Sequence, residues 1–291
     1  MAEAITVAGN AKINLTLDIL GRRADGFHEV AMVMQAIDLH DTLVLTRREA
    51  GHVSLTIDRP GLKADDSNLA WRAAVALNQA VGRELGVAIA LTKRIPIAAG
   101  LAGGSTDAAA VLRGMNELYD LGLSLDQLCD IGATLGSDIP FCLRGGTMLA
   151  TGRGEVLRRL PELPPLYVVL AKPPVGVSTA WAYQHYDDEG AAVHPDNAAV
   201  EQALAKQDVH TVAKLLCNVL ESVTIKKYTV ISAYKQLMLD KGALASMMSG
   251  SGPTVFGLTD TEERAREIAA YLRAQVPEAE VLVTRTAAGM K

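Results

Sequence analysis

Residues 96–109 read Pro96-Ile97-Ala98-Ala99-Gly100-Leu101-Ala102-Gly103-Gly104-Ser105-Thr106-Asp107-Ala108-Ala109, and they separate two segments of different periodicity. Before them, Val87, Ile89 and Leu91 alternate with other residues over 87–93, as a half-buried strand requires. After them, Val111, Leu112, Met115 and Leu118 fall at helical spacing within 108–119. The order is therefore strand, glycine-rich turn, helix. Gly100, Gly103 and Gly104 can take positive φ and let a bulky anion approach the backbone. Successive N–H groups of such a turn form an anion-binding concavity, and the helix adds its positive N-terminal end. Ser105 and Thr106 place two hydroxyls there, suited to a phosphate oxygen or a metal-bound water. No Gly-Lys-Ser/Thr follows the glycines and no G-x-G-x-x-G is present, so this is a phosphate cradle of a third type. The plainer alternative is a tight connection whose glycines serve packing alone.

Upstream, Ile13, Leu15, Leu17 and Ile19 share one face of a predicted strand over 11–20, and Lys12, Asn14, Thr16 and Asp18 share the other. From the strand alone, that polar face reads as a solvent-facing sheet side. Residues 22–30 turn around Asp25-Gly26, and Phe27 with His28 offers a flat apolar ring beside an imidazole. Such a pair can stack on a nucleobase and bond its edge, or it can serve packing with a surface histidine beside it. Strands are expected near 42–46 and 53–57, and an amphipathic helix over 67–85.

Downstream, Ser124-Leu125-Asp126-Gln127 has the pattern of a capping box, opening a helix that runs to Leu135 and stops at Gly136. Asp138 follows, with Pro140 holding Ile139 extended, in a stiff corner before an apolar strand. A carboxylate set among Ile139, Phe141, Cys142 and Leu143 is a candidate general base; a turn-stabilising role for it is equally open.

The proline- and charge-rich segment 155–165 marks a domain boundary, dividing the chain into 1–158 and 159–291. Beyond it come a strand over 166–171, helices between 179 and 239, strands over 243–248 and 254–258, a helix over 262–273 and a strand over 281–284. That is βαββαβ with a helical insertion in its first crossover, the ferredoxin-like signature. Ser249-Gly250-Ser251-Gly252-Pro253-Thr254 joins its central strands, as a hairpin linker or as a second loop facing substrate or phosphate.

A chain of 291 residues with 49% hydrophobic content can build two real cores. Its net charge of −5 argues against a nucleic-acid partner, which needs clustered Lys and Arg. Cys129, Cys142 and Cys217 are scattered and lack metal-ligand spacing, as free thiols in a reducing cytoplasm would be. No signal-peptide pattern and no apolar run of membrane-spanning length occurs, so a cytoplasmic protein without a membrane partner is expected.

Three pieces coincide in one resemblance. The 96–109 stretch resembles the phosphate-binding signature of the GHMP kinases, the superfamily of galacto-, homoserine, mevalonate and phosphomevalonate kinases. Residues 249–254 resemble that superfamily's C-terminal glycine motif. Ala11-Lys12-Ile13-Asn14-Leu15 with residues 22–29 is similar to the N-terminal motif of its branch that phosphorylates a cytidyl-linked methylerythritol for isoprenoid synthesis without mevalonate. The resemblance implies an α+β, two-domain GHMP kinase fold: a ribosomal protein S5 domain 2-like N-terminal domain and a ferredoxin-like C-terminal domain. It implies ATP and Mg²⁺ as cofactors and a small-molecule alcohol as substrate. It puts the general base on Asp138 and the charge-stabilising lysine on Lys12. His28 would meet the cytosine edge, Phe27 and Tyr183 its two faces, Asn14 the polyol, and Thr179 the reacting groups. Pro96, Ala98, Ala99, Gly100, Leu101, Ala102, Gly103 and Gly104 would hold ATP, with Ser105 and Thr106 on its phosphates or Mg²⁺ and Asn68 on the adenine side. No acidic metal ligand is identifiable. The rival readings are another kinase of the superfamily, which needs no base clamp, and a non-catalytic nucleotide sensor on the same scaffold.

Overall fold

The computed structural model describes residues 3–289. The first half of the chain is built on β1 (Ala4–Asn14), β2 (Thr16–Arg22), β3 (His28–Arg48) and β4 (Val53–Ile57). They are followed by α1 (Leu69–Val81), β5 (Gly86–Thr92), α2 (Gly103–Leu118), α3 (Leu125–Leu135), α4 (Ile139–Arg144), β6 (Thr147–Thr151) and β7 (Val156–Arg159). The hub is β3, whose length lets it pair antiparallel with β1, β2, β5 and β6 in turn. Between Asn10 and Lys12 the register with β3 shifts, an irregularity that re-aims the strand just where Lys12 stands.

Helices α1 and α2 cover one face of this sheet. Leu43, Leu45, Ile89 and Leu91 meet Ala70, Ala73, Leu77, Val111, Leu112 and Met115 there in one core. The alanines and Gly114 of α2 allow a close approach: a Cβ on Gly114 would lie 2.4 Å from Leu45 Cδ1 and 3.1 Å from Val7 Cγ2. The capping box on α3 forms in full, with Ser124 and Gln127 each bonding the other's backbone N–H.

The second half comprises β8 (Tyr167–Lys172), α5 (Thr179–Glu189), α6 (Asn197–Ala205), α7 (Val209–Lys214), β9 (Cys217–Asn218), α8 (Glu221–Lys227) and α9 (Val230–Asp240). It closes with β10 (Ala245–Met248), β11 (Val255–Thr259), α10 (Glu262–Gln275) and β12 (Glu280–Arg285). Its sheet runs β10-β11-β8-β12, antiparallel throughout, the ferredoxin-like order. Strand alternation splits β8 between two cores. Val169 and Ala171 pack with α9 and α10 residues such as Tyr234 and Ile268, while Val168 and Leu170 join Phe256, Ile13, Leu15 and Val33. The second core therefore joins the halves through apolar burial. Short β9 goes further and pairs parallel with β2 of the first sheet.

Two expectations need correction. The strand expected over 11–20 is interrupted at Leu15, and its polar face is not solvent-facing: Lys12 is 4% and Asn14 1% exposed, because the glycine loops cover that face. The strand expected after Asp138 is the helix α4. Pro140 falls in its first turn, where a missing N–H has no intrahelical partner to lose, so Ile139 is helical rather than extended. Strand β7 keeps residues up to Arg159 in the first sheet, and the crossing to the second runs over 160–166, where Leu160, Leu163 and Leu166 are buried. Among the described residues no helix is long and apolar enough to cross a membrane.

Phe256 is fully buried at the contact between the halves. Phe256→Ala is expected to cost about 3–5 kcal/mol, read as a lowered urea midpoint with unchanged m-value. A midpoint near the wild type would mean that the two halves do not depend on this contact.

Candidate active site

A cleft of about 1020 Å³ opens along the seam between the two halves. One wall is the glycine loop. Ala98, Gly100 and Ala102 all sit at positive φ (50°, 73° and 61°), coiling the loop ahead of α2. Ala102 is the N-cap of α2 and offers no side-chain cap, so no capping side chain occupies the helix's first amides. Glycine is required at 100, where a Cβ would lie 2.2 Å from the Ser249 carbonyl oxygen. The second glycine loop packs there: Ser249 Oγ donates to the Gly100 carbonyl at 3.0 Å. Asn218, from β9, braces this loop by donating to the Met248 and Gly250 carbonyls at 2.9 and 2.8 Å.

Lys12 enters the cleft from β1. Its ammonium donates to Asn14 Oδ1 at 2.7 Å and to the Gly100 carbonyl at 2.9 Å, and Lys12 N–H bonds the Leu101 carbonyl at 3.2 Å. Two of the three ammonium donors are thus fixed, and the third is left for the cleft. Asp138 lines the same cleft at the head of α4 and makes no capping bond to the helix. Its carboxylate and the Lys12 ammonium act on the same buried thiol. Burial and then the Asp138 charge push Cys142 up to about 12, with Lys12 opposing. Burial and then Asp138 also push the Tyr183 phenol upward, so that ring stays neutral.

The other end of the cleft holds Phe27, His28 and Tyr183. The His28 and Tyr183 rings lie 4.9 Å apart at 45°, while Phe27 remains 51% exposed with the Arg153 guanidinium 4.9 Å from its ring centre. Thr179 Oγ1 lies 3.0 Å from Ser251 Oγ, which ties the start of α5 to the second glycine loop. Asn68 lines the cleft as the N-cap of α1, accepting from Ala70 N–H and donating to the Lys63 carbonyl, both at 2.9 Å.

The cleft thus brings together Lys12, Asn14, Phe27, His28, Asn68, Asp138, Thr179, Tyr183 and the loop residues from Pro96 through Ser105 that were named from sequence. Thr106 is the exception and is corrected here. It is fully buried, and its hydroxyl donates to the Asn10 carbonyl at 2.9 Å, so its side chain anchors α2 on β1 outside the cleft lining.

Sequence reasoning missed Arg153, Asp187, Lys93 and Asp107 in the cleft wall. Asp187 had a signal: it stands eight residues after Thr179 and four after Tyr183, on one face of α5. Lys93 and Asp107 had none, since their partner Asp41 is remote in sequence. The buried Lys93 ammonium bonds Asp41 and, at 2.7 Å, Asp107, and lies 3.5 Å from the Gly103 carbonyl. Two carboxylates share one ammonium, and Asp107 Oδ1 is buried without a partner. Burial, with the neighbouring Asp41 charge adding to it against the pull of Lys93, raises Asp107 to about 7.

Similarity to known proteins decides the family. Residues 68–146 match the GHMP kinases N terminal domain and residues 200–278 the GHMP kinases C terminal domain. A 4-diphosphocytidyl-2-C-methyl-D-erythritol kinase of Acetivibrio thermocellus is 46% identical, over 98% of this chain and 99% of its own length. One from Geobacillus kaustophilus is 48% identical over 92% of this chain and 93% of its own. The chain belongs to the 4-diphosphocytidyl-2-C-methyl-D-erythritol kinase family of the GHMP kinases. A crystal structure of a 4-(cytidine 5'-diphospho)-2C-methyl-D-erythritol kinase superposes with a TM-score of 0.82 at 33% identity, covering 98% of this chain and all of that one. The two-domain GHMP kinase fold is therefore the fold of this family member, and its seam is the cleft just described.

The charge cluster under the loop makes a pH prediction. The Asp107 carboxyl binds its proton more tightly in the fold than unfolded. That contribution to stability is complete below the ordinary value of 3.8 and is lost as pH rises through about 7. Asp107→Asn keeps an acceptor for Lys93 and removes the shared charge. Its urea midpoint relative to wild type is expected to climb between about pH 4.5 and about pH 8. A constant difference over that range would show that Asp107 carries no raised pKa.

Proposed function

We propose that this chain transfers the γ-phosphoryl group of ATP to the 2-hydroxyl of 4-diphosphocytidyl-2-C-methyl-D-erythritol, giving the 2-phosphate and ADP. The observation that carries the reading is one continuous cleft with the glycine loop, Lys12 and Asp138 at one end and Phe27, His28 and Tyr183 at the other. A kinase for mevalonate or homoserine has no use for the second end.

The chemistry follows from these positions. Asp138 takes the proton of the 2-hydroxyl as its oxygen attacks the γ-phosphorus, and the bond to the bridging oxygen of ADP breaks. Lys12, held by Asn14 and the Gly100 carbonyl, turns its third N–H on the developing alkoxide. The uncapped start of α2 and the Ser105 hydroxyl take the phosphates. Among the described residues no three His, Cys, Asp or Glu side chains gather as metal ligands. That donor set suits Mg²⁺ carried on ATP, with phosphate and water as most of its ligands and Ser105 as the protein's hydroxyl. The ion would offset charge on the transferred group. Asp107 is a poor ligand because Lys93 already shares its charge. Cys129, Cys142 and Cys217 are unpaired, in keeping with the cytoplasm as the site of action.

The test is ATP consumption by the purified protein with the cytidyl substrate, run beside mevalonate and homoserine. Turnover with the cytidyl compound alone is expected; turnover with either of the others instead would discard the reading of Phe27 and His28. Asp138→Asn is expected to lower kcat by about 10²–10⁴ while ATP affinity stays near wild type. Near-normal turnover would remove Asp138 as the base.

A further inference from the structure

His28 does not stand alone in the cleft. Its Nε2 lies 2.7 Å from Asp187 Oδ1, which reaches it from α5, the helix that also supplies Thr179 and Tyr183. An ionised carboxylate only accepts hydrogen bonds, so the proton of a neutral imidazole in this pair sits on Nε2. Nδ1 is then an acceptor. The Tyr183 ring against the imidazole opposes the flip that would exchange the two nitrogens.

The four bases differ at their edges in a way that this polarity reads. Cytosine presents an amino donor where uracil presents a carbonyl acceptor. A histidine acceptor bonds the first and repels the second. We infer that Asp187 is the specificity-determining partner of His28: by holding the Nε2 proton it makes Nδ1 an acceptor, and so sets the cleft for cytosine over uracil. Asp187 acts through His28, as a positioning residue. The inference rests on the reading of Phe27, His28 and Tyr183 as a base clamp.

The competing account is that the pair merely ties α5 to β3. Both side chains are partly exposed, 12% for His28 and 30% for Asp187, where such a polar pair adds little stability. A tether would also affect every base equally, and this separates the two accounts.

The experiment is calorimetric binding of CDP and of UDP, with a non-hydrolysable ATP analogue filling the glycine-loop end, to the wild type and to Asp187→Glu, Asp187→Ala and Asp187→Asn. The wild type is expected to prefer CDP by about tenfold or more. Asp187→Glu, which keeps the carboxylate, retains most of that preference. Asp187→Ala, which frees the tautomer, reduces the ratio by about fivefold or more. Asp187→Asn can donate its amide N–H to Nε2, leaving the proton on Nδ1, and moves the preference toward UDP. A wild type without preference, or variants that weaken both ligands alike, would overturn the inference. The kinase reading fails separately: if CDP preference responds to Asp187 but the cytidyl alcohol is not phosphorylated, the clamp stands and the activity falls. If phosphorylation occurs and the CDP-to-UDP ratio ignores Asp187, the activity stands and this inference falls.

Discussion

One carbonyl oxygen holds the glycine-loop end of the cleft together. The Gly100 carbonyl accepts from the Lys12 ammonium of the first strand and from the Ser249 hydroxyl of the C-terminal loop. Three segments that are far apart in sequence meet at that atom. A lysine ammonium buried to this degree is tolerated only where its donors are matched, and Asn14 with Gly100 supplies two of the matches. The contact also dictates the residue type at 100. The second glycine loop packs so close that no Cβ fits, and the positive φ would strain any other residue.

Beneath the loop lies a second constraint of opposite sign. Asp41 accepts from the backbone N–H groups of Arg94 and Ile95, and its carboxylate shares Lys93 with Asp107 of α2. The strand leading into the loop and the helix leaving it are therefore pinned to the same buried charge cluster. An excess of one carboxylate over ammonium sits close to the end of α2, where phosphate would bind. Burial and the neighbouring Asp41 carboxylate both favour a protonated Asp107, against the pull of Lys93. Removing Lys93 would leave two buried carboxylates uncompensated, the costly kind of change, whereas neutralising Asp107 leaves Asp41 and Lys93 as a matched pair.

The sequence makes the frame legible wherever a local rule governs. The strand-turn-helix at 87–119, the capping box at Ser124 and the βαββαβ order after 166 each follow from periodicity or capping chemistry, and each has its counterpart in the structure. The cleft's membership was legible mainly through resemblance, since no periodicity ties Lys12 to Gly100. The misreadings have a common cause. Whether Lys12 and Asn14 face water, whether Thr106 faces a ligand and whether 139–144 winds into a helix all depend on what packs against them from a distant segment. The Lys93 cluster escaped for the same reason, because Asp41 joins it across a sheet.

Placement of the cleft at the seam follows from how the halves are joined. The second half does not simply rest on the first: β9 adds a parallel pair to β2, and Asn218 within it braces the second glycine loop from below. The apolar core around Phe256, Ile13 and Val168 fixes the remaining contact. With the sheets locked in this way, the turn into β3 places Phe27 and the strand's first residue, His28, at one end, and the loop before α2 lines the other. Helix α5 then spans between them, with Thr179 on the second glycine loop and Asp187 on His28. The cleft runs along this helix, lined by Thr179, Tyr183 and Asp187, so one rigid element ties the second glycine loop to His28.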